Sequence, residues 1–99
     1  MDTPTIFLDH TVAGTYTNIE GAKLYAALAP HLAAGTVVRL SLRNATPMSS
    51  SFLNSSIGDL MDHYGLDKLR HCLRLVDYLP SHAAAIKKYM TDVASLEVA

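Results

Sequence analysis

The chain reads as an α/β domain with a parallel or mixed sheet of about four strands packed against three helices. Three observations point there. β-rich apolar runs alternate with helix-period runs, turn residues punctuate each change of period, and glycine or proline stands where each helix should stop or start. The order is strand, a second short strand, then helix–strand–helix–strand–helix. Parallel strands need a crossover connection, and helices are the usual one.

Thr5-Ile6-Phe7-Leu8 is the first strand, ended by Asp9-His10 and the turn-like Ala13-Gly14. A further short strand over Gly14–Tyr16 would bring the sheet to about four. Thr17-Asn18-Ile19-Glu20 has the form of a capping box, in which Thr17 accepts from the third helical N–H and Glu20 reaches back. Leu24, Leu28 and Leu32 then recur every four residues as the apolar stripe of an alanine-rich helix. Pro30 should kink that helix or divide off its last turn, and Gly35 should end it.

Thr36–Leu42 is the strongest strand, β-branched and apolar. The second helix should start near Ser50 and run to Tyr64, with Gly65 in the C-terminal cap position. Phe52, Leu53, Ile57, Leu60, Met61 and Tyr64 make its apolar face, while Asn54, Asp59, Asp62 and His63 fall mainly opposite. The small residues Ser55, Ser56 and Gly58 suggest close approach by a sheet or partner. Leu66–Arg70 reads as a polar connection with room for one helical turn, and Cys72–Val76 as the next strand. Pro80 suits the first turn of a third helix to about Asp92, with Ala83, Ile86, Met90 and Val93 inward. The tail Ala94–Ala99 frays or adds a short edge strand.

Ninety-nine residues suffice for one compact domain, 1–99, and are too few for two. A hydrophobic fraction of 49% with 17% charged residues fits a soluble globular chain. Net charge near −1 argues against nucleic acid as an obligatory partner. Pro30, His31, Gly35 and Arg39 interrupt the longest apolar stretch, so no membrane span is expected. Met1-Asp2-Thr3-Pro4 carries no secretory signal pattern, and the single cysteine, Cys72, fits a reducing cytoplasm. His71 beside Cys72 does not make a dyad, because adjacent strand residues point to opposite faces.

The most informative stretch runs from Leu40 to Leu53, where a strand ends, a proline-containing turn follows, and Ser49-Ser50-Ser51 precede an apolar helix. The first N–H groups of a helix lack intrahelical partners and carry partial positive charge, which suits a capping oxygen or a phosphate. One serine should cap the helix. The others fill the turn or accept a phosphate, which would add about −1.5 to −2 charges at pH 7. No Gly-x-Ser-x-Gly elbow accompanies them, so no catalytic serine is assigned. No glycine-rich phosphate loop follows either strong strand, and the five histidines lack metal-ligand spacing, so neither nucleotide cofactor nor metal is expected. Asp59, Asp62 and His63 can share a helix face, and Asp9 and His10 follow a strand. The first set reads better as a solvated polar face than as a metal or acid/base site, and the second has no identifiable nucleophile or second carboxylate nearby to make a catalytic site.

Leu40-Ser41-Leu42, the turn, Met48-Ser49-Ser50-Ser51-Phe52-Leu53 and the helix to Tyr64-Gly65 resemble the STAS-like domain of unknown function, a bacterial relative of the STAS domains of anti-sigma factor antagonists. Gly21-Ala22-Lys23-Leu24-Tyr25 resembles its first-helix glycine motif, and Leu73–Tyr89 its last strand and helix, so the likeness covers about 5–92. In the antagonists a serine at the start of the corresponding helix is phosphorylated by a histidine-kinase-like ATPase, and the usual pattern is Asp-Ser-Ser/Thr-Gly-Leu. Against that pattern Ser49 replaces the acid and Phe52 the glycine, while Ser50 and Ser51 match the hydroxyl pair. Thr17-Asn18 lacks an arginine expected ahead of the first helix in many members. The resemblance implies a non-enzymatic regulatory module. It makes Ser51, then Ser50, the phosphoacceptor candidates, and Ser49, Ser50, Ser51, Phe52 and Asn54 the partner-binding surface. A structural or small-ligand-binding protein on the same fold, with serines that only cap, is the alternative.

Overall fold

A computed structural model describes residues 3–98, and side chains up to residue 94. Strand β1 (Thr5–Phe7) leads directly into a one-turn helix α1 (Leu8–Thr11), and α2 (Asn18–Ala34) follows. Strand β2 is Val38–Ser41. Next come α3 (Ser50–Leu53), a π-helical turn (Asn54–Gly58) and α4 (Asp59–Tyr64). Backbone angles stay in the right-handed helical region through Leu53, Asn54, Gly58 and Asp59, so these three segments form one rod from Ser50 to Tyr64. Helix α5 (Leu66–Cys72), strand β3 (Leu73–Val76) and α6 (Pro80–Val98) complete the described chain.

The three strands lie in the order β1-β2-β3, and both pairings are parallel. Ile6 stands opposite Leu40, which in turn stands opposite Leu75. Each crossover is helical, through α2 in the first case and through the rod and α5 in the second. Leu24, Leu28 and Leu32 are buried on α2 as their four-residue spacing requires, and they meet Phe52, Ile57 and Leu60 of the rod in a single core.

Several expectations change. The described residues hold three strands, not four, and Gly14–Tyr16 is irregular. Side-chain chemistry explains this: the buried Thr15 hydroxyl lies 2.8 Å from the Pro47 carbonyl and 2.6 Å from the Thr46 hydroxyl. Those contacts moor the segment to the loop before the rod instead of to a strand edge. The Ala94–Ala99 tail adds no strand as far as Val98, because α6 continues that far, and Ala99 lies outside the described residues. Leu66–Cys72 is a full helix, so Cys72 ends α5 and β3 starts one residue later. His71 and Cys72 are therefore helical neighbours, the first exposed and the second fully buried.

Leu8 and the Asp9-His10 pair form α1 where a strand end and a turn were expected. Helix α2 runs unbroken through Pro30. It ends at Gly35, whose φ of 72° is the left-handed cap conformation that glycine adopts without a steric penalty. The third helix extends beyond Asp92 to Val98.

Candidate functional site

Ser49 is the N-cap of the rod. Its Oγ accepts from the Phe52 N–H at 3.1 Å and donates to the Tyr16 carbonyl at 2.7 Å, while its own N–H donates to the Thr15 carbonyl at 2.9 Å. The cap therefore also ties the rod to the segment before α2. Met48 and Leu53 occupy the flanking staple positions, and both reach the core. Of the three serines, Ser49 has its hydroxyl committed to folding.

Ser50 and Ser51 follow on the first turn and are exposed. Neither hydroxyl bonds to another described residue. Phe52 next to them is fully buried, so its ring serves the core and only its backbone belongs to the surface strip. Asn54 is exposed but not free, because its Oδ1 accepts from the Tyr89 hydroxyl of α6. Of the five residues assigned to the partner surface, Ser50 and Ser51 carry open hydroxyls, Ser49 and Asn54 are engaged, and Phe52 points inward.

The placement of this strip depends on two close approaches. A Cβ at Gly21 would lie 2.6 Å from the Phe52 carbonyl oxygen and 2.7 Å from the Ser55 Cβ, so α2 meets the rod at backbone distance. Ser55 donates to Asn18 Oδ1 at 3.1 Å at the same crossing. The buried Ser56 donates to the Phe52 carbonyl at 2.7 Å, a bond from a side chain to the preceding turn that loosens a regular helix. Such a bond sits naturally inside a π turn. Thr17 caps α2 through its Oγ1 and the Glu20 N–H at 3.2 Å, but Glu20 does not reach back to Thr17. Its carboxylate takes the Ala13 N–H at 2.9 Å instead, closing the preceding loop.

Two exposed apolar residues at the entry to α2, the first tied to Ser49 through its carbonyl, have no counterpart in the sequence-based site. Tyr16 is 60% exposed and Ile19 is 71% exposed. The sequence does hold a signal for Tyr16. It stands at the staple position before the Thr17 cap, and the residue it should pack against is Gly21, which has no side chain.

The other polar sets make no hydrogen bond to Ser49, Ser50 or Ser51 among the described residues. His63 bonds through Nδ1 to the Asp59 carbonyl at 2.9 Å, and Asp59, Asp62 and His63 are all exposed. Asp9 accepts from Asn44 Nδ2 at 3.0 Å and pairs with Arg43 Nε at 3.5 Å, at the carboxyl ends of β1 and β2. The Asn44 hydrogen bond, with Arg43 and His10 nearby, holds the Asp9 carboxyl below the usual carboxylate range against a smaller burial effect. Arg43 also lies 4.9 Å from the centre of the Phe7 ring. Asn44 is itself in the left-handed region, at φ 61°. This Arg43–Asn44 clasp was not legible from spacing, since its members are more than 30 residues apart from Asp9.

No group of three or more His, Cys, Asp or Glu side chains among the described residues is placed to hold a metal ion. No helix there is long and apolar enough to cross a membrane. Searches of curated proteins and of solved structures return no match. The family profile described as the STAS-like domain of unknown function matches residues 20–78, from the first turn of α2 through the rod to the end of β3. That span is more than half of the chain and contains both the Gly21 crossing and the three serines, and the chain belongs to the STAS-like domain family.

Proposed function

We propose that the chain is a non-enzymatic regulatory module that docks a histidine-kinase-like ATPase through the rod start at residues 49–53. Ser51 is the foremost phosphoacceptor in this reading and Ser50 the second. The observation that supports it best is the division of labour among the serines. Ser49 alone supplies the cap, which leaves two exposed hydroxyls on the first helical turn with no folding task. Tyr16, whose carbonyl is bonded to the Ser49 cap, and Ile19 three residues on offer exposed apolar area that a protein partner can cover. A phosphate on Ser51 would sit favourably with the helix N-terminus and unfavourably with an apolar docking surface, so modification would separate the partners.

The test is recovery of the protein from its own host, followed by intact mass and identification of co-purifying proteins. Expected are a kinase-like ATPase partner and a phosphorylated fraction that disappears in a Ser50→Ala/Ser51→Ala double variant. An unmodified protein with no partner, and a double variant that behaves as the parent, would refute the reading. The second reading, a structural or small-ligand module without a switch, draws on the engagement of Ser49, Phe52 and Asn54 in the fold. Under it, Ser51→Asp leaves interactions unchanged and slightly stabilises the rod.

A further inference from the structure

On the side of the sheet where β3 is the edge, a groove of about 470 Å³ opens between α5, β3 and α6. Its volume falls within the range of small-molecule sites, about 300–1,000 Å³. Buried Leu69, Leu73, Ile86 and Met90 form an apolar floor. Among the described residues, Arg70, Arg74 and Lys87 are the titratable side chains along its walls apart from the Tyr78 phenol, and none of those lining it is a carboxylate. Three of the chain's eight lysines and arginines thus gather at one groove of a protein whose net charge is −1. None of the three is in an ion pair among the described residues.

The groove's own geometry narrows the occupant. An added β-strand would need free amides along β3. Val76 turns its carbonyl to the N–H of Leu42, just past the end of β2, so Leu73 and Leu75 are the residues whose N–H and C=O face outward. The Leu73 N–H is already bonded to the Leu69 carbonyl, and its own carbonyl accepts from the Arg74 guanidinium at 3.1 Å. Leu75 alone is left, too little for strand addition. A second copy of the chain, docked by the same face about a two-fold axis, would bring two sets of Arg70, Arg74 and Lys87 into one interface, cation facing cation.

We propose that this groove binds a single-chain amphiphile with an anionic carboxylate head, its chain on the Leu69–Met90 floor and its head at Arg70 and Lys87. Water is displaced from apolar surface along the chain, and charge-assisted hydrogen bonds hold the head at the rim. Arg74 borders the head position while its NH1 stays on the Arg70 carbonyl at 2.7 Å, capping the end of α5.

Calorimetric titration of the full chain with octanoate, decanoate and dodecanoate, each below its micelle concentration, tests this. The expected result is saturable one-site binding that tightens about fourfold per added methylene until the groove is full. Decan-1-ol should bind about tenfold more weakly than decanoate. Arg70→Gln and Lys87→Gln should each weaken decanoate about twofold to fivefold. Both positions are exposed, so their unfolding curves should match the parent. Amide shifts in the unmodified chain give a reading that needs no variant: Leu75 and Thr91 should move with decanoate, and Ser50 and Ser51 should not. Absence of binding, equal affinity for the alcohol, variants that bind as the parent does, or shifts centred away from the groove would each overturn the proposal. So would a dimer that either variant dissociates, or displacement of the fatty acid by an acidic peptide that binds more tightly.

Discussion

Gly21 shows how a single missing side chain sets the position of the candidate site. The Phe52 carbonyl and the Ser55 Cβ occupy the space that a Cβ would need, and both are fixed to the rod's backbone. Gly21→Ala should therefore force α2 and the rod apart and destabilise by about 1–3 kcal/mol, measured by urea unfolding. Ser49→Ala should lower stability by about 1 kcal/mol through loss of the cap. The Ser50→Ala/Ser51→Ala pair should change it far less, since neither hydroxyl is bonded to a described residue. Asp9 gives a pH-dependent case. Its folded pKa is lowered, chiefly by the Asn44 hydrogen bond, so its stabilising contribution is present above the unfolded value of 3.8 and fades as pH falls through the folded value. Asp9→Asn should flatten that acid limb in a series of thermal melts.

At the scale of elements, the rod is the part most fully readable from sequence. Its cap, its apolar face from Phe52 to Tyr64 and its end near Gly65 all follow from period and punctuation. The π turn inside it does not, because it depends on what lies across from it. Gly58 faces the Tyr89 hydroxyl, where a Cβ would stand 2.5 Å away, and Asn54 accepts a hydrogen bond from that same hydroxyl. Gly58→Ala should be better tolerated in a Tyr89→Phe background than in the parent, because the phenylalanine has no oxygen to clash; a double-mutant cycle measures the coupling. Phe52→Ala should cost about 3–5 kcal/mol, since the ring is wholly within the core. Burial, with a smaller effect from Asp59, raises the Tyr89 phenol above its ordinary range. Its stabilising contribution thus holds at neutral pH and is lost as pH rises through the alkaline range.

For the whole molecule, alternation of strand and helix pointed to a parallel or mixed sheet with helices packed on it, and three parallel strands in sequence order resolve that choice. What alternation could not give was the fate of short segments. Gly14–Tyr16 has strand-like composition, yet the Thr15 hydroxyl finds partners 31 and 32 residues away. Leu66–Cys72 is only seven residues long and closely follows Tyr64, so its polar pattern alone did not distinguish a helix from a connection. At Thr15 a tertiary partner outweighed weak local preference.

The run Ser49-Ser50-Ser51 is enough to locate the candidate site, because unpaired helix N–H groups need oxygen and the chain supplies it there. The sequence also determined the order of the main elements and the leucine stripe of α2, both matters of local period. Only the tertiary structure decided which serine caps, which hydroxyls remain open, and that Phe52 faces inward while Tyr16 and Ile19 do not. The same holds for the groove of Arg70, Arg74 and Lys87, whose members come from three successive elements. The division has a simple cause. Capping and amphipathic period act over four residues or fewer, whereas exposure and charge clustering are properties of surfaces assembled from distant parts of the chain.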